Sequence, residues 1–224
     1  MTARLSTAAV RRARMVDRLR AQGIADRRVL DAMAAVAREA FVPEALRGRA
    51  YEDERLPIGE GQTMSLPWTV ARMCELLAAA PGSKVLEIGS GSGYHAAVLA
   101  AMGLIVFSVE RHAALAREAA TRLRMLGYLS ATVKHFDGSY GWAAQAPYEG
   151  ILVTAAAPEI PSALVGQLAP GGHLVLPLAR DPEGKEQRLV VVTLDAGRLV
   201  EQDHGEASFV PLIGRFGYPR RSGL

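Results

Sequence analysis

Residues 84–109 limit the chain most strongly. Lys84-Val85-Leu86-Glu87-Ile88 reads as a short strand. Gly89-Ser90-Gly91-Ser92-Gly93 follows at once, then an apolar helix from Tyr94 to Met102 and a second strand from Leu104 to Val109. A strand, a glycine bend, a helix and a second strand make a β-α-β unit, and that unit demands a parallel sheet with helices packed on it. Three glycines at alternate positions let the backbone turn sharply and approach a ligand, while the helix that follows offers its unpaired amides and the positive end of its dipole.

The rest of the chain repeats the alternation. A helix is expected over Ala113 to Leu126, strands at Ala131 to Lys134, Gly150 to Thr154, His173 to Pro177 and Leu189 to Leu194, a further helix at Pro161 to Leu168, and a last short strand at Phe209 to Leu212. Two helices precede the unit. Thr7 to Ala21 carries Val10, Met15 and Leu19, and Asp26 caps a segment marked by Val29, Leu30, Met33 and Val36. Between Glu39 and Gln62 the periodicity breaks at Pro43, Gly48, Pro57, Gly59 and Gly61, which reads as loop. Pro67 then opens a helix with Val70, Met73, Leu76 and Leu77 on its buried face. The expected division is an N-terminal helical and loop region over residues 1–62 packed on a main domain over 63–224.

Composition removes several classes of function. The longest apolar run, Ala96 to Phe107, covers 12 residues, too few to cross a bilayer. Arg4, Arg11, Arg12, Arg14, Arg18 and Arg20 leave no room for a signal-peptide apolar stretch, so a cytoplasmic location is expected. Cys74 is the one cysteine, so no intramolecular disulfide and no cysteine-clustered metal site is expected. The 26 Lys+Arg exceed the 23 Asp+Glu by three, and Arg215, Arg220 and Arg221 add charge at the C-terminal end. The arginines are interrupted by Asp17, Asp26 and Asp31 and lack interleaved aromatics, so a solvated helix face is expected rather than a nucleic-acid surface. The five histidines, His95, His112, His135, His173 and His204, lack ligand spacing and read as structural or solvent-facing. His95, directly after the glycine bend, is the one placed to face a cofactor. Trp68 and Trp142 read as packing residues, with Trp68 near enough to Ser65 to line a cleft.

Glu110 stands 17 residues after Gly93 at the end of the next strand, where an acid accepts hydrogen bonds from ribose hydroxyls. A nucleoside-containing cofactor is therefore indicated, and two compete. A nicotinamide dinucleotide calls for G-x-G-x-x-G, whereas this loop reads G-x-G-x-G. Glu87, two residues before the first glycine, would repel a pyrophosphate. S-adenosyl-L-methionine has no phosphate and carries an ammonium and a sulfonium, so the charge fits. Asp137-Gly138 follows the next strand, where the carboxylate would meet an adenine amino group, although Asp-Gly is also an ordinary turn.

Asp26 to Pro43, Ala50 to Ala71, Val85 to Val98, Gly141-Trp142, Val153 to Ala157 and Phe209-Val210-Pro211-Leu212 together resemble the protein-L-isoaspartate O-methyltransferases. The most specific stretch is Leu56-Pro57-Ile58-Gly59-Glu60-Gly61-Gln62-Thr63-Met64-Ser65. The resemblance implies an α/β fold: a Rossmann-like class I S-adenosylmethionine-dependent methyltransferase with a mostly parallel seven-stranded sheet and an N-terminal helical extension. It also implies transfer of a methyl group to the free carboxylate of isoaspartyl residues in damaged proteins, leaving S-adenosyl-L-homocysteine and starting repair through a succinimide. By the same resemblance Ser65 falls on the active-site serine. Gln62 and Thr63 lie beside it, and Leu66 and Trp68 stand on the acceptor side. Glu87, Gly89, Gly91, Gly93, Glu110, Asp137 and Gly138 fall on cofactor-binding positions. Taken alone, Ser65 is a hydroxyl at a helix start, the usual place for a cap.

Leu66, Trp68 and Ser208 depart from the family's usual residues on the acceptor side, and Phe136 replaces the usual glycine before Asp137, where it would tighten an adenine pocket. Ala37 replaces a usual proline. The expected partners are damaged proteins or peptides, with no nucleic acid, no membrane, no metal and a monomeric state. A methyltransferase for another carboxylate or a small molecule, and a non-catalytic cofactor-binding module, are the alternatives.

Overall fold

The computed structural model describes residues 7–195 and 198–219. Arg4, Arg220 and Arg221 lie outside them. Helix α1, Thr7–Ala21, buries Met15, Val16 and Leu19, while Val10 stays 37% exposed. Asp26 caps α2, Arg27–Ala35, by accepting from the Arg28 amide at 2.8 Å. Val29, Leu30 and Met33 turn inward at helical spacing, each worth about 1.5–3 kcal/mol of burial. These side chains join one continuous buried cluster with α3, Pro67–Leu77, and α4, Tyr94–Ala101.

Seven strands form the main sheet: β3 (Lys84–Ile88), β4 (Ile105–Glu110), β5 (Ala131–His135), β6 (Tyr148–Val153), β7 (Leu168–Ala179), β8 (Gln187–Asp195) and β9 (Arg198–Ala207). Their order is β5-β4-β3-β6-β7-β8-β9. The first five run parallel and β8 pairs antiparallel with both of its neighbours. Helix α5, Ala113–Met125, follows β4, and the short α6, Ser162–Val165, precedes β7. A reversal of strand order at β3, with β4 on one side and β6 on the other, opens a crevice beyond the carboxyl ends of the central strands.

Three expectations are corrected. The Pro161 to Leu168 helix is one turn long, because the chain has already entered β7 at Leu168. Phe209 to Leu212 is not a strand of the sheet. It touches the fold through an isolated bridge from Pro211 to Ala156 and two backbone bonds at 2.8 Å, Ala156 N to Val210 O and Leu212 N to Ala156 O. The seventh strand is β9, whose polar, mostly exposed residues give no alternating signal because it lies at the sheet edge. The stretch read as loop also contains a hairpin, β1 (Leu56–Gly59) paired with β2 (Gln62–Met64). Its turn holds Gly59, Glu60 and Gly61 at φ of 93°, 52° and 65°.

Candidate functional site

A cleft of about 850 Å³, measured to its open mouth, lies above the glycine bend, a size suited to one small organic ligand. Its floor is Gly89-Ser90-Gly91-Ser92. Glu110 and His112 stand on one side, Thr154-Ala155 and Val210 to Ile213 on another, and the hairpin with Ser65 on a third. Of the residues expected at the site, Gln62, Thr63, Ser65, Gly89, Gly91, Glu110 and Gly138 line this one cavity.

Glycine is required at two of these positions. Gly89 sits at φ +96°, and a Cβ there would lie 2.2 Å from Thr154 Oγ1. That hydroxyl is fixed because it donates to Ile88 O at 3.0 Å and Gly89 O at 2.9 Å. A Cβ on Gly138 would lie 2.5 Å from Ile88 Cγ2. Over the bend, the Ile58 side chain from the hairpin comes within 3.0 Å of where a Gly91 Cβ would stand, so β1 forms part of the roof.

Glu110 is tied by both oxygens. Oε2 accepts from Gly91 N at 2.9 Å and Oε1 from His112 N at 2.8 Å. The two bonds fix the carboxylate plane, and each oxygen keeps a lone pair for a further donor.

Glu87 lies elsewhere. It is fully buried beneath the loop and does not line the cleft. Oε2 accepts from the Ser108 hydroxyl, which is 2.5 Å from the Ser90 hydroxyl, and Oε1 has no partner. Burial, opposed by the Ser108 bond and reinforced by nearby Glu110, pushes its carboxyl up to about 8. With no ligand bound it is mainly uncharged at neutral pH. Its place is under the bend, tied through Ser108 to Ser90.

Gly93, Asp137, Leu66 and Trp68 do not line the cleft either. Gly93 packs at the start of α4 against Ala119 and Leu123 of α5. Asp137 uses Oδ1 to accept from Ser139 N and Oγ, at 2.9 and 2.7 Å, and Oδ2 to accept from Arg215 N at 3.0 Å. It therefore caps the turn that presents Gly138. Trp68 is half-buried against the core and Leu66 is the N-cap residue of α3. Phe136, expected to narrow the adenine side, is 42% exposed and packs on Tyr140 at 5.8 Å between ring centres. Ser208 contributes only its carbonyl, which accepts from Arg55. Trp142 stacks edge-on against Phe107 at 5.4 Å, as a packing residue.

Ser65 immediately precedes Leu66, and no side chain caps α3, so its hydroxyl is not spent as the cap its position suggested. Its carbonyl accepts from Arg38 Nη2 at 2.6 Å, while Arg38 Nε donates to Ala50 O at 2.7 Å. Arg38 has no exposed surface, and its guanidinium lies 4.6 Å over the Tyr94 ring.

Sequence reasoning missed Ile58, Arg111, His112 and Thr154 as wall residues. Thr154 sits at the carboxyl end of the strand beside β3, a position the order of the sheet would have marked. His112 Nδ1 lies 3.4 Å from Glu60 Oε2 across the cleft's edge, a pairing that no spacing along the chain reveals. Among the described residues no cluster of metal-ligating side chains occurs, and no helix is long and apolar enough to cross a membrane.

Residues 10–217 match the family model described as protein-L-isoaspartate(D-aspartate) O-methyltransferase (PCMT). The chain belongs to that family. A protein-L-isoaspartate O-methyltransferase of Methylorubrum extorquens (strain PA1) is 52% identical over 207 residues, covering 92% of this chain and 90% of the relative. Protein-L-isoaspartate O-methyltransferase 2 of Marinobacter nauticus is 47% identical over 210 residues, covering 94% and 95%. Among solved structures, a protein-L-isoaspartate O-methyltransferase superposes with a TM-score of 0.84 at 27% identity, covering 92% of this chain and 67% of that one. A structure from Plasmodium falciparum described as a PCMT in complex with S-adenosyl-L-homocysteine gives 0.78 at 25% identity, covering 90% and 98%. The fold is that of the class I S-adenosylmethionine-dependent methyltransferases, and the chain holds Gly89, Gly91 and Glu110 on one cleft.

Proposed function

We propose that the acceptor carboxylate is held at Ser65 and the cofactor over the Gly89 to Gly93 bend, in an enzyme that methylates isoaspartyl carboxylates and so starts repair through a succinimide. The single observation carrying this reading is that Ser65, the bare glycine backbone and Glu110 line the same cavity. The cavity suits S-adenosyl-L-methionine: Gly89 and Gly91 leave bare backbone in its floor, and the Glu110 lone pairs fit ribose hydroxyls. When bound, the cofactor supplies an electrophilic methyl group on a cationic sulfur.

The chain's own part is to position and to exclude water. An ordinary carboxyl titrates near pH 4, so the acceptor is already the anionic nucleophile at neutral pH and needs no general base. Ser65 donates a hydrogen bond that orients it, without becoming a covalent nucleophile. The Arg38 bond to the Ser65 carbonyl fixes that orientation, and the hairpin roof at Ile58 sheds water, so alignment and desolvation provide most of the acceleration. Gly138 gives the adenine side a flat wall that Asp137 braces. The same proposal includes residues 1–62 as a cover on the 63–224 methyltransferase domain, and a cytoplasmic monomer with damaged proteins as partners.

An isoaspartyl peptide incubated with methyl-labelled cofactor is expected to gain a base-labile ester while its aspartyl twin does not. Equal labelling of the two removes the substrate assignment. Ser65→Ala is expected to lower kcat/KM on that peptide roughly 10- to 100-fold, the loss of one hydrogen bond to a charged group. Affinity for S-adenosyl-L-homocysteine, read by calorimetry, should stay within about twofold.

A further inference from the structure

The mechanism leaves His95 unused, although it lies in the wall of the cleft with only 7% of its surface exposed. It occupies the first turn of α4, and its Nε2 is 3.2 Å from the Sγ of Cys74 on α3. Cys74 is itself buried, on the side of His95 away from the cavity wall. Burial keeps both groups of this contact uncharged. Burial raises the thiol well above its ordinary range, and burial, together with the nearby Arg38 charge, lowers the imidazole to about 3. With both groups neutral, the arrangement in which the thiol S–H donates to Nε2 leaves the ring proton on Nδ1. Among the described residues Nδ1 has no hydrogen-bond partner, and it is not sealed from solvent.

What such a donor would meet follows from the charge around it. The Arg38 guanidinium, on the Tyr94 ring and bonded to the Ser65 carbonyl, forms no hydrogen bond or ion pair with a carboxylate among the described residues. A buried cation of this kind favours an anion in the adjacent cavity. We propose that His95 donates from Nδ1 to a carboxylate bound in the cleft, and that Cys74 is the positioning residue which fixes the donating tautomer. This deepens the reading above and rests on it. Two ligands present the required chemistry, the acceptor and the amino-acid end of the cofactor.

Two binding measurements separate them without turnover: calorimetry of S-adenosyl-L-homocysteine, and fluorescence anisotropy of a labelled isoaspartyl peptide on protein saturated with it. His95→Leu is expected to weaken one of the two constants roughly 10- to 100-fold, as for a hydrogen bond to a charged group, and the constant that moves names the carboxylate. His95→Asn places an amide nitrogen near Nδ1 and should restore most of the loss. His95→Gln reaches toward the Nε2 position and should not. Cys74→Ser keeps a donor and should resemble the wild type, whereas Cys74→Ala should weaken the same constant several-fold. Melting by circular dichroism checks that each variant folds. If His95→Leu does not fold, the Asn against Gln pair decides. Both constants within twofold in folded His95→Leu, or Gln rescuing as well as Asn, overturns the inference. Wild-type protein that binds S-adenosyl-L-homocysteine but labels no isoaspartyl peptide overturns the functional reading instead, and leaves the calorimetric comparison intact.

Discussion

Gly89→Ala should destabilise this protein strongly and weaken its cofactor site at the same time. Two separate costs meet at the position. A φ of +96° is outside the range an alanine adopts comfortably, and the new Cβ would stand 2.2 Å from Thr154 Oγ1. Backbone strain of this kind costs about 1–3 kcal/mol, and the overlap must be relieved by moving a hydroxyl already bonded to two carbonyls. Together they put the loss on the order of 3 kcal/mol, or roughly 6 to 12 °C in Tm for a chain of this size. Since the residue begins the bend, affinity for S-adenosyl-L-homocysteine should fall more than tenfold. Thr154→Ala removes the overlapping oxygen and leaves Thr154 Cβ at 3.6 Å. In the double variant the steric part should therefore vanish while the backbone part remains. A thermal melt of Gly89→Ala within 2 °C of wild type defeats the argument, and strict additivity in the double-mutant cycle defeats its steric half.

Glu87 sets the second large effect, a dependence of stability on pH. Its carboxyl titrates at about 8 in the folded protein, against an ordinary value of 4.5. Below 4.5 both the folded and unfolded chains hold the proton. Between 4.5 and 8 the unfolded chain releases it and the folded chain keeps it, so stability falls as pH rises. Above 8 both are ionised and the loss is complete. Its full extent is several kcal/mol, at up to about 1.4 kcal/mol per pH unit. Glu87→Gln removes the titration while keeping an oxygen to accept from Ser108. The variant is expected to gain on wild type steadily as pH rises through that window, read as the difference between two urea-unfolding series at matched pH. A difference that stays constant from pH 4.5 to 8 would falsify the assignment of a neutral buried acid.

The placement of Glu87 also shows where reading along the chain stops. Its spacing from the glycines identified the bend, and from there a carboxylate facing a cationic ligand was a reasonable inference. The direction of the side chain depends on which face of β3 is covered. The alternation in β3 does not reveal that, because both faces of a central parallel strand are buried and Val85, Leu86, Glu87 and Ile88 are all inside. Phe136 shows a related limit: it adjoins Asp137 in sequence, yet the cleft lining does not include it. The hairpin was missed because its strands have four and three residues, shorter than any periodic signal, and its turn glycines read as loop.

Local chemistry was sufficient for the β-α-β unit, the glycine bend, the inward faces of α2 and α3, the Asp26 cap and the acid at the end of β4. These depend on residues a few positions apart, whose spacing along the chain is also their spacing in space. Tertiary packing decided what no short-range pattern holds: that β9 rather than Phe209 to Leu212 closes the sheet, that Arg38 reaches 27 residues along the chain to grip Ser65, and that Cys74 meets His95. Each is a contact between segments brought together by burying a common core, and its energy exists only after that core has formed.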